Sequence, residues 1–361
     1  MVLYRIGWQR QPDVALPDSY EPATSVAVII PARNEAGNIE QCINAILAQD
    51  YPKDLLEIIV IDDHSTDNTY EIVNGYGSAV RCLKLASYIQ EGETLTAFKK
   101  KALSIGIAHS KDNLIVTTDA DCIAKPGWLR NIAAIYEREQ PVMIVAPVDF
   151  TSNGSLLQTF QSIDFMSMQG ITAAAYNMKL GNMSNGANLA FSRQAFDAVD
   201  GYKGIDHLAS GDDYLLMMKL QQAFPGRISY LKSKDAIVST SPQESWNGFI
   251  QQRIRWASKS GKYKDDKLTT ILILVYLFNF LFLALVIAAF FKAVLWAVVM
   301  AALALKIVAE LYFLAPVARF FKKEMQLKYF VLLQPLHIAY IIVAGFLGFA
   351  GVYKWKGRIS K

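Results

Sequence analysis

The chain has few cysteines and lacks an apolar segment at its start. Its 361 residues contain three cysteines, Cys42, Cys82 and Cys122, which lie far apart and form no C-x-x-C pair. This spacing indicates a reducing compartment and argues against a cysteine zinc site. Residues 1–11 lack the apolar core of a signal peptide, so we expect nothing there to route the globular part outward.

Two further absences narrow the class of protein. No G-x-G-x-x-G motif opens the first predicted helix, which removes the main support for a dinucleotide-binding fold. The formal net charge is only +4, so the composition gives no reason to expect a nucleic-acid partner. We therefore expect the ligands to be small molecules or lipids and not nucleic acid.

Hydrophobic residues make up 53% of the chain, and their excess is concentrated after residue 267. Three apolar stretches follow one another there, Leu268–Phe291, Ala293–Val317 and Val331–Val352. Each is long enough to cross about 30 Å of hydrocarbon as a helix. The sequence predicts a domain that folds in water, followed by a membrane region of about three helices.

Lys306 and Glu310 interrupt the second apolar stretch. They are four residues apart and therefore share one face of a helix. Because charges are costly against lipid, we expect them to pair with each other or to face a neighbouring helix. A functional ion pathway is the alternative interpretation.

Basic residues flank the apolar stretches unevenly. One cluster precedes the first stretch and consists of Arg253, Arg255, Lys259, Lys262 and Lys264. A second cluster lies between the second and third stretches and consists of Arg319, Lys322, Lys323 and Lys328. Only Lys292 separates the first two stretches. The positive-inside rule then predicts an inner or plasma membrane protein whose globular domain is cytoplasmic. Three crossings would leave the basic tail, residues 354–361, outside, so either one stretch does not span or the tail departs from the rule.

Short β-branched runs alternate with amphipathic segments over the first half of the chain. The predicted strands are Val26–Ile30 (ended by Pro31), Glu57–Ile61, Asn113–Thr118 and Val142–Phe150, and the predicted helices are Ile39–Leu47, Tyr70–Val73, Phe98–Ala108, Gln158–Ala175 and Leu215–Leu220. This alternation predicts an α/β fold with a mostly parallel sheet, which binds ligands at the carboxyl ends of its strands.

Three polar clusters directly follow predicted strands, at residues 32–35, 62–65 and 119–121. In the last of them, Asp119 and Asp121 end a buried strand and are expensive to desolvate without a cation. Mg²⁺ or Mn²⁺ bridging to a diphosphate would compensate them, because carboxylate oxygens suit hard divalent cations. A solvated turn or a helix cap is the alternative.

Six motifs carry a resemblance to a known family. They are Pro31-Ala-Arg-Asn-Glu35, Asp62-Asp-His-Ser65, Asp119-Ala-Asp121, Asn185-Gly-Ala-Asn188, Gly211-Asp-Asp213 and Gln252-Arg-Ile-Arg-Trp256. In this order, over about residues 25–260, they resemble the inverting glycosyltransferases of family 2, which have a GT-A nucleotide-sugar fold. The Gln-x-x-Arg-Trp motif before membrane helices is similar to the branch that makes polysaccharides and glycolipids.

The resemblance implies a set of donor-binding residues. Ala32, Arg33 and Glu35 would line the nucleotide pocket, and Asp62 or Asp63 would accept a hydrogen bond from the imide N–H of a uracil. A lysine, Lys99, would pair with the diphosphate, although Phe98 stands where the family commonly has glycine. Of the three consecutive lysines at 99–101, we expect at least two to form a solvated helix face.

The resemblance also implies the catalytic residues. Asp121 would coordinate the metal, and Asp119 would support the ribose or a metal-bound water. Asp213, beside Asp212, would be the general base that deprotonates the acceptor hydroxyl. The alternative for this pair is a helix cap with a favourable dipole interaction.

The last motifs have less specific roles. Gln252, Arg255 and Trp256 would hold the diphosphate and offer an apolar platform to the acceptor or the sugar ring, while Asn188 would shape the acceptor side. The rival interpretation of residues 245–259 is an interfacial amphipathic helix with Arg253, Arg255 and Lys259 on lipid headgroups.

Together these inferences predict a division of the chain and a function. The predicted parts are an extension (1–24), a cytoplasmic GT-A catalytic domain (25–244), an interface segment (245–267), a membrane region (268–353) and a basic tail (354–361). We expect metal-dependent transfer of a sugar from a nucleoside-diphosphate sugar, with UDP favoured, to a membrane lipid or glycan, with an oligomer or export partner as a further possibility. The alternatives are a processive polysaccharide synthase subunit, a transporter or channel subunit with a nucleotide-binding domain, and a lipid-tethered nucleotidyltransferase.

Overall fold

The computed structural model describes residues 1–17, 19–90, 95–180, 183–258, 265–350, 353–355 and 358–360. The basic residues Lys259, Lys262 and Lys264, named above, and Lys356 of the predicted basic tail lie outside the described residues.

The strands are β1 (Val26–Ala32), β2 (Leu56–Asp62), β3 (Arg81–Lys84), β4 (Leu114–Thr117), β5 (Ile123–Ala124), β6 (Met143–Val145), β7 (Val148–Phe150), β8 (Leu189–Ser192), β9 (Ile228–Tyr230), β10 (Val238–Thr240), β11 (Tyr353–Trp355) and β12 (Arg358–Ser360). The helices are α1 (Val2–Arg10), α2 (Ile39–Leu47), α3 (Thr69–Asn74), α4 (Phe98–His109), α5 (Trp128–Glu139), α6 (Leu156–Met178), α7 (Arg193–Ala198), α8 (Asp212–Ala223), α9 (Trp246–Ala257), α10 (Asp266–Phe291), α11 (Leu295–Phe321) and α12 (Phe330–Ala350).

The chain divides into two compact units, and neither is continuous in sequence. The sheet unit consists of Pro12–Asp149 and Met183–Ser241. The helical unit consists of Met1–Gln11, Phe150–Asn182 and Pro242–Lys361.

A seven-stranded sheet forms the centre of the sheet unit, in the order β3-β2-β1-β4-β8-β6-β9. Strands β3, β2, β1 and β4 are parallel, as are β6 and β9, whereas β8 runs antiparallel to both of its neighbours. A smaller sheet has the order β5-β10-β7. The predicted α/β fold with a mostly parallel sheet is therefore confirmed.

The central strands are apolar on both faces because helices cover both sides of a parallel sheet. Residues 26–30 of β1 and 59–61 of β2 have no solvent exposure. Helix α4 approaches them closely through Gly106, where an added Cβ would lie 2.6 Å from both Ile29 Cγ2 and Ile61 Cδ1. A glycine at this position lets the helix pack directly on β1 and β2.

Two predicted strand boundaries are wrong. Strand β1 continues through Pro31, which is in register with Ile61 of β2. Pairing of β1 with β4 ends at Ile29, so beyond this residue the edge of β1 that faces β4 is open. Because no described strand pairs with this edge at Pro31, the N–H group that proline lacks removes no hydrogen bond from the sheet. The predicted strand Val142–Phe150 is two strands, β6 and β7, which belong to different sheets.

Among its described residues, the helical unit contains three helices long and apolar enough to cross a membrane, at Asp266–Phe291, Leu295–Phe321 and Glu324–Gly348. They agree with the three predicted apolar stretches. Large apolar side chains such as Phe290, Phe291 and Leu305 are exposed on them. Such a surface is costly in water and suits a hydrocarbon environment.

Lys306 and Glu310 pair with each other, as predicted, and also contact the neighbouring helix. Lys306 Nζ lies 2.5 Å from Glu310 Oε1 and donates to Gln334 Oε1 at 2.7 Å. Gln334 Nε2 in turn donates to Glu310 Oε2 at 2.9 Å. The three side chains form a closed polar triad between α11 and α12.

Replacing Gly106 by alanine tests the close packing of α4 on the sheet. The added methyl group would collide with Ile29 and Ile61, and overpacking of this kind costs about 1–3 kcal/mol. We expect Gly106→Ala to lower the melting temperature of the detergent-solubilised protein by several degrees. The matched control is Gly37→Ala, because an added Cβ there meets no atom within 4 Å. Equal melting temperatures for the two variants would contradict this description of the core.

Candidate active site

The end of β4 is joined to the turn that precedes β8. Thr117 Oγ1 donates to the carbonyl of Gly186 at 3.1 Å, and Thr118 Oγ1 donates to that of Ala187 at 2.9 Å. These hydrogen bonds hold residues 185–188 beside the chain segment that carries Asp119 and Asp121. Two of the six motifs thus meet at the carboxyl end of β4.

Asn188 of this turn is a structural residue. Its Nδ2 donates to the carbonyls of Pro147 and Ala236 at 2.8 Å each, and its Oδ1 accepts from Trp128 Nε1 at 2.8 Å. The side chain is fully buried. Asn188 therefore shapes the site by holding three segments together, since its amide is fully engaged with the protein.

Lys99, near the start of α4, joins two of the acidic motifs. Its Nζ lies 2.6 Å from Asp119 Oδ1 and 3.4 Å from Asp212 Oδ2. Burial favours the neutral amine, but the charges of Asp119 and Asp212 outweigh it and raise the pKa of Lys99 above its ordinary value. The lysine is therefore a stable cation among the predicted site carboxylates.

Lys100 corrects the prediction that at least two of the three lysines are solvated. It is among the largest fully buried side chains, and its Nζ donates to the carbonyls of Leu208 and Ser210. These carbonyls compensate the buried charge and lie just before α8. Lys100 thus anchors the loop that leads into Asp212 and Asp213.

Asp212 and Asp213 lie in the first turn of α8. The helix begins three residues earlier than predicted, after Gly211, whose φ of +81° favours glycine. Asp213 Oδ1 accepts from the Tyr214 N–H at 2.7 Å, and its Oδ2 accepts from the Gly186 N–H at 3.2 Å. Both carboxylates also interact favourably with the positive end of the helix dipole. This interaction is compatible with the predicted role of Asp213 as a general base.

Gly186 leaves the space in which these groups meet. A Cβ added there would lie 3.2 Å from Asp212 Oδ2 and 3.5 Å from Lys99 Nζ. The glycine therefore lets the turn approach the pair formed by Lys99 and Asp212.

Asp121 lies in strongly acidic surroundings. Thr240 Oγ1 donates to its Oδ2 at 3.2 Å. Burial raises the pKa of Asp121, and the negative charges of Asp119 and Glu35 raise it further. A cation bound here would favour the ionised form of Asp121.

The chemistry of these oxygens fits Mg²⁺ or Mn²⁺. In the part of the chain that the structure describes, no group of three or more His, Cys, Asp or Glu side chains could hold an ion. The protein can thus offer two carboxylates, Asp119 and Asp121, and the other ligands would come from phosphate oxygens and water. This division is usual for Mg²⁺ that is bound together with a nucleotide.

The loops after β1 and β2 are tied together at the same edge of the sheet. Arg33 Nη1 donates to the carbonyl of Asp63 at 2.9 Å, and the Asp63 N–H donates to the carbonyl of Ala32 at 2.7 Å. The Glu35 N–H donates to Thr69 Oγ1 at 2.8 Å. Ala32 is only 1% exposed, so its methyl group is packed inside the protein.

Asp62 and Asp63 are both buried at the end of β2. Asp63 Oδ1 lies 2.9 Å from His64 Nδ1. Asp62 Oδ1 has no hydrogen-bond partner among the described residues, although it is buried. A buried carboxylate oxygen in this condition calls for a donor from a ligand or water.

Gln252, Arg255 and Trp256 lie on α9 in the helical unit. Gln252 Oε1 accepts from Arg253 Nη1 at 2.7 Å, and the guanidinium of Arg253 lies 4.3 Å from the centre of the Trp256 ring. The role of the three residues in donor binding stays a prediction.

Arg253 corrects the prediction of a headgroup-binding residue. Its side chain is 4% exposed and pairs with Asp164 of α6 at 2.8 Å. Asp164 was not among the predicted site residues, although one signal was present: a carboxylate between Ile163 and Phe165 requires a cationic partner when buried.

Comparison with known proteins identifies the family. The model described as "Glycosyl transferase family 2" matches residues 27–199, and "Glycosyl transferase family group 2" matches residues 114–347, which is more than half of the chain. The glycosyltransferase AglE of Haloferax volcanii is 28% identical over 52% of this chain and 58% of its own length. The beta-monoglucosyldiacylglycerol synthase of a Synechocystis strain is 24% identical over 50% of this chain and 37% of its own length. This chain thus aligns with less than two thirds of the length of either relative.

A solved structure supports the fold. The mannosyltransferase PcManGT from Pyrobaculum calidifontis, solved with GDP-Man and Mn²⁺, superimposes with a TM-score of 0.57 at 21% identity, covering 96% of this chain and 93% of that one. At this identity the likeness concerns the fold alone. Together with the family matches, it establishes that the chain belongs to glycosyltransferase family 2 and has a GT-A-like fold.

Proposed function

We propose that this protein is a membrane-anchored, metal-dependent inverting glycosyltransferase that moves a sugar from a nucleoside-diphosphate sugar to a lipid or glycan. One observation carries the proposal: Lys99, Asp119, Asp212 and Asp213 converge around Gly186 at the carboxyl edge of the sheet. A cation and three carboxylates in one place provide both a phosphate-binding group and a base.

The donor would bind along the loops after β1 and β2. The buried Asp62 Oδ1 and the neighbouring Asp63 would accept hydrogen bonds from the base, which favours a base with an N–H donor, such as the imide of uracil. Arg33 and Glu35 would complete the pocket. We propose a UDP-sugar as the donor on this ground.

The diphosphate would lie beside Lys99, which can exchange its carboxylate partners for phosphate oxygens. Asp121, with Asp119, would hold Mg²⁺ or Mn²⁺. When bound, this ion would neutralise charge on the departing nucleoside diphosphate. Asp119 would then interact with the ion in place of Lys99, which frees the ammonium group for the donor.

Asp213 would act as the general base. The acceptor hydroxyl oxygen would attack the anomeric carbon, the bond to the diphosphate oxygen would break, and the hydroxyl proton would pass to Asp213. Hydrogen bonds from the Gly186 and Tyr214 N–H groups fix the orientation of this carboxylate. Such pre-orientation lowers the entropic cost of the reaction.

The three long apolar helices support membrane anchoring, and the distribution of basic residues favours a cytoplasmic catalytic domain in an inner or plasma membrane. One relative is named for a glucosylated diacylglycerol, which supports a lipid acceptor. A processive synthase subunit is the nearest alternative. The transporter alternative gains no support from Lys306 and Glu310, because the triad with Gln334 satisfies both charges internally.

The test of the proposed function is transfer by the purified protein in detergent. We expect release of a nucleoside diphosphate that requires Mg²⁺ or Mn²⁺ and an added lipid or glycan, and mass spectrometry should detect the glycosylated product. Pyrophosphate as the product would indicate a nucleotidyltransferase. Absence of turnover with every UDP- and GDP-sugar tried would refute the proposal.

Replacing Asp213 by asparagine removes the base and preserves the shape. General base catalysis contributes about 10²–10⁴-fold, so we expect the transfer rate to fall by that factor while the Kd for the donor stays nearly unchanged. The measurements are product formation and calorimetric donor binding. Asp197→Asn, an exposed change on α7 of the same unit, is the control and should retain wild-type activity. Loss of donor binding in Asp213→Asn would show that the assigned role is wrong.

Replacing Asp121 by asparagine tests the metal site. With one anionic ligand lost, we expect the Mn²⁺ concentration for half-maximal donor binding to rise at least tenfold, as measured by calorimetry at a series of Mn²⁺ concentrations. Chelation with EDTA should abolish transfer by the unaltered protein, and added Mn²⁺ should restore it. An unchanged metal titration in the variant would contradict the ligand assignment.

A further inference from the structure

Asp164 is a buried carboxylate of α6. Its side chain is 3% exposed. Arg253 of α9 donates to its Oδ2 from Nε at 3.1 Å and from Nη2 at 2.8 Å. The hydroxyl of Tyr340 on α12 donates to Oδ1, and His337 Nε2 lies 3.8 Å from the same oxygen. One carboxylate thereby connects three helices of the helical unit.

The guanidinium of Arg253 also contacts two residues of the Gln-x-x-Arg-Trp motif. Nη1 donates to Gln252 Oε1 at 2.7 Å. The central guanidinium carbon of Arg253, Cζ, lies 4.3 Å from the centre of the Trp256 ring, within the range of a cation–π interaction. Phe165 of α6 packs against the same tryptophan, with ring centres 5.9 Å apart. Asp164 therefore acts on the motif through a single intermediate side chain.

This contact determines which way the Gln252 amide points. An arginine has five N–H donors and no acceptor, so the group of Gln252 that faces it must be the carbonyl oxygen. The amide NH₂ is then directed elsewhere and can only donate. Gln252 thus presents hydrogen-bond donors suited to the oxygens of a phosphate or a sugar hydroxyl.

We propose that Asp164 and Arg253 are positioning residues for the transfer reaction. Asp164 fixes the guanidinium, and the guanidinium orients the Gln252 amide and the Trp256 ring, so that the amide presents its N–H donors to a phosphate or hydroxyl oxygen. This inference rests on the proposed function for its substrate, and it goes beyond it by assigning two residues that the Gln-x-x-Arg-Trp pattern does not specify.

The energetics favour a positioning role over a purely stabilising one. A buried ion pair costs desolvation free energy, and replacing it with apolar residues of similar size is often neutral or stabilising. The planar fork of arginine, by contrast, holds a carboxylate and a neighbouring amide in a fixed geometry. A lysine offers a single nitrogen and cannot reproduce this geometry.

The substitution Arg253→Lys separates positioning from folding. It retains a cation for Asp164, so we expect a melting temperature close to that of the unaltered protein. We expect kcat/KM for the donor to fall at least tenfold, because the amide and the indole ring lose their fixed orientation. If stability and kcat/KM both stay at the wild-type level, or if both fall together, the positioning role is refuted.

A double-mutant cycle tests whether Arg253 acts through Gln252. We expect Arg253→Lys and Gln252→Leu each to reduce kcat/KM, and the double variant to lose much less than the product of the two factors. If the loss of kcat/KM in the double variant equals the product of the two single losses, the coupling between Arg253 and Gln252 is refuted. The matched control is Glu310→Gln, which removes a different buried ion pair of the helical unit and should leave kcat/KM unchanged.

A structural readout keeps the inference separate from the proposed function. In the Asp164→Asn variant, we expect the amide hydrogens of the peptide covering residues 246–257 to exchange faster than in the unaltered protein. In the Glu310→Gln control variant, we expect the same peptide to exchange at the rate of the unaltered protein. Unchanged exchange in Asp164→Asn would overturn the inference even if transfer is confirmed. Absence of transfer by the unaltered protein would instead overturn the proposed function, and the exchange experiment would still decide whether Asp164 orders α9.

Discussion

The acidic edge of the sheet depends on the ion pairs made by Lys99. Asp119 and Asp212 come from separate parts of the sequence, and the same ammonium group lies within 3.4 Å of both. Two like charges 4 Å apart repel by about 4 kcal/mol near a protein surface, so carboxylates cannot be gathered here without a cation. A sugar-nucleotide site needs both signs of charge, because it binds an anionic diphosphate and also removes a proton.

Neighbouring residues of α4 perform different tasks in this arrangement. Lys99 neutralises the carboxylates, while Lys100 is buried and anchors the carbonyls of Leu208 and Ser210. The first acts on the charges of the site and the second on the loop that brings α8 into it. Gly186 contributes space, since a Cβ there would lie 3.2 Å from Asp212 Oδ2, a tighter contact than most Cβ atoms make.

Much of the fold and part of the site could be predicted from local sequence. Apolar β-branched runs predicted β1, β2 and β4, and polar residues at their carboxyl ends predicted where the carboxylates lie. The contacts of Lys100, Asn188 and Asp164 could not be predicted, because each depends on partners 41 to 176 residues away that no local pattern reveals. The start of α8 at Asp212 was missed because its first residues are polar and lack helical periodicity.

The polar triad of Lys306, Glu310 and Gln334 has a consequence for how the protein is made. Its hydrogen bonds between helices connect α11 with α12, one donated from each helix, and its charges sum to zero. A bilayer would accept the two helices far more readily as a joined hairpin than one after the other, because Gln334 alone would carry an unsatisfied amide into hydrocarbon. Insertion of the last two long helices into a bilayer would therefore favour their simultaneous entry.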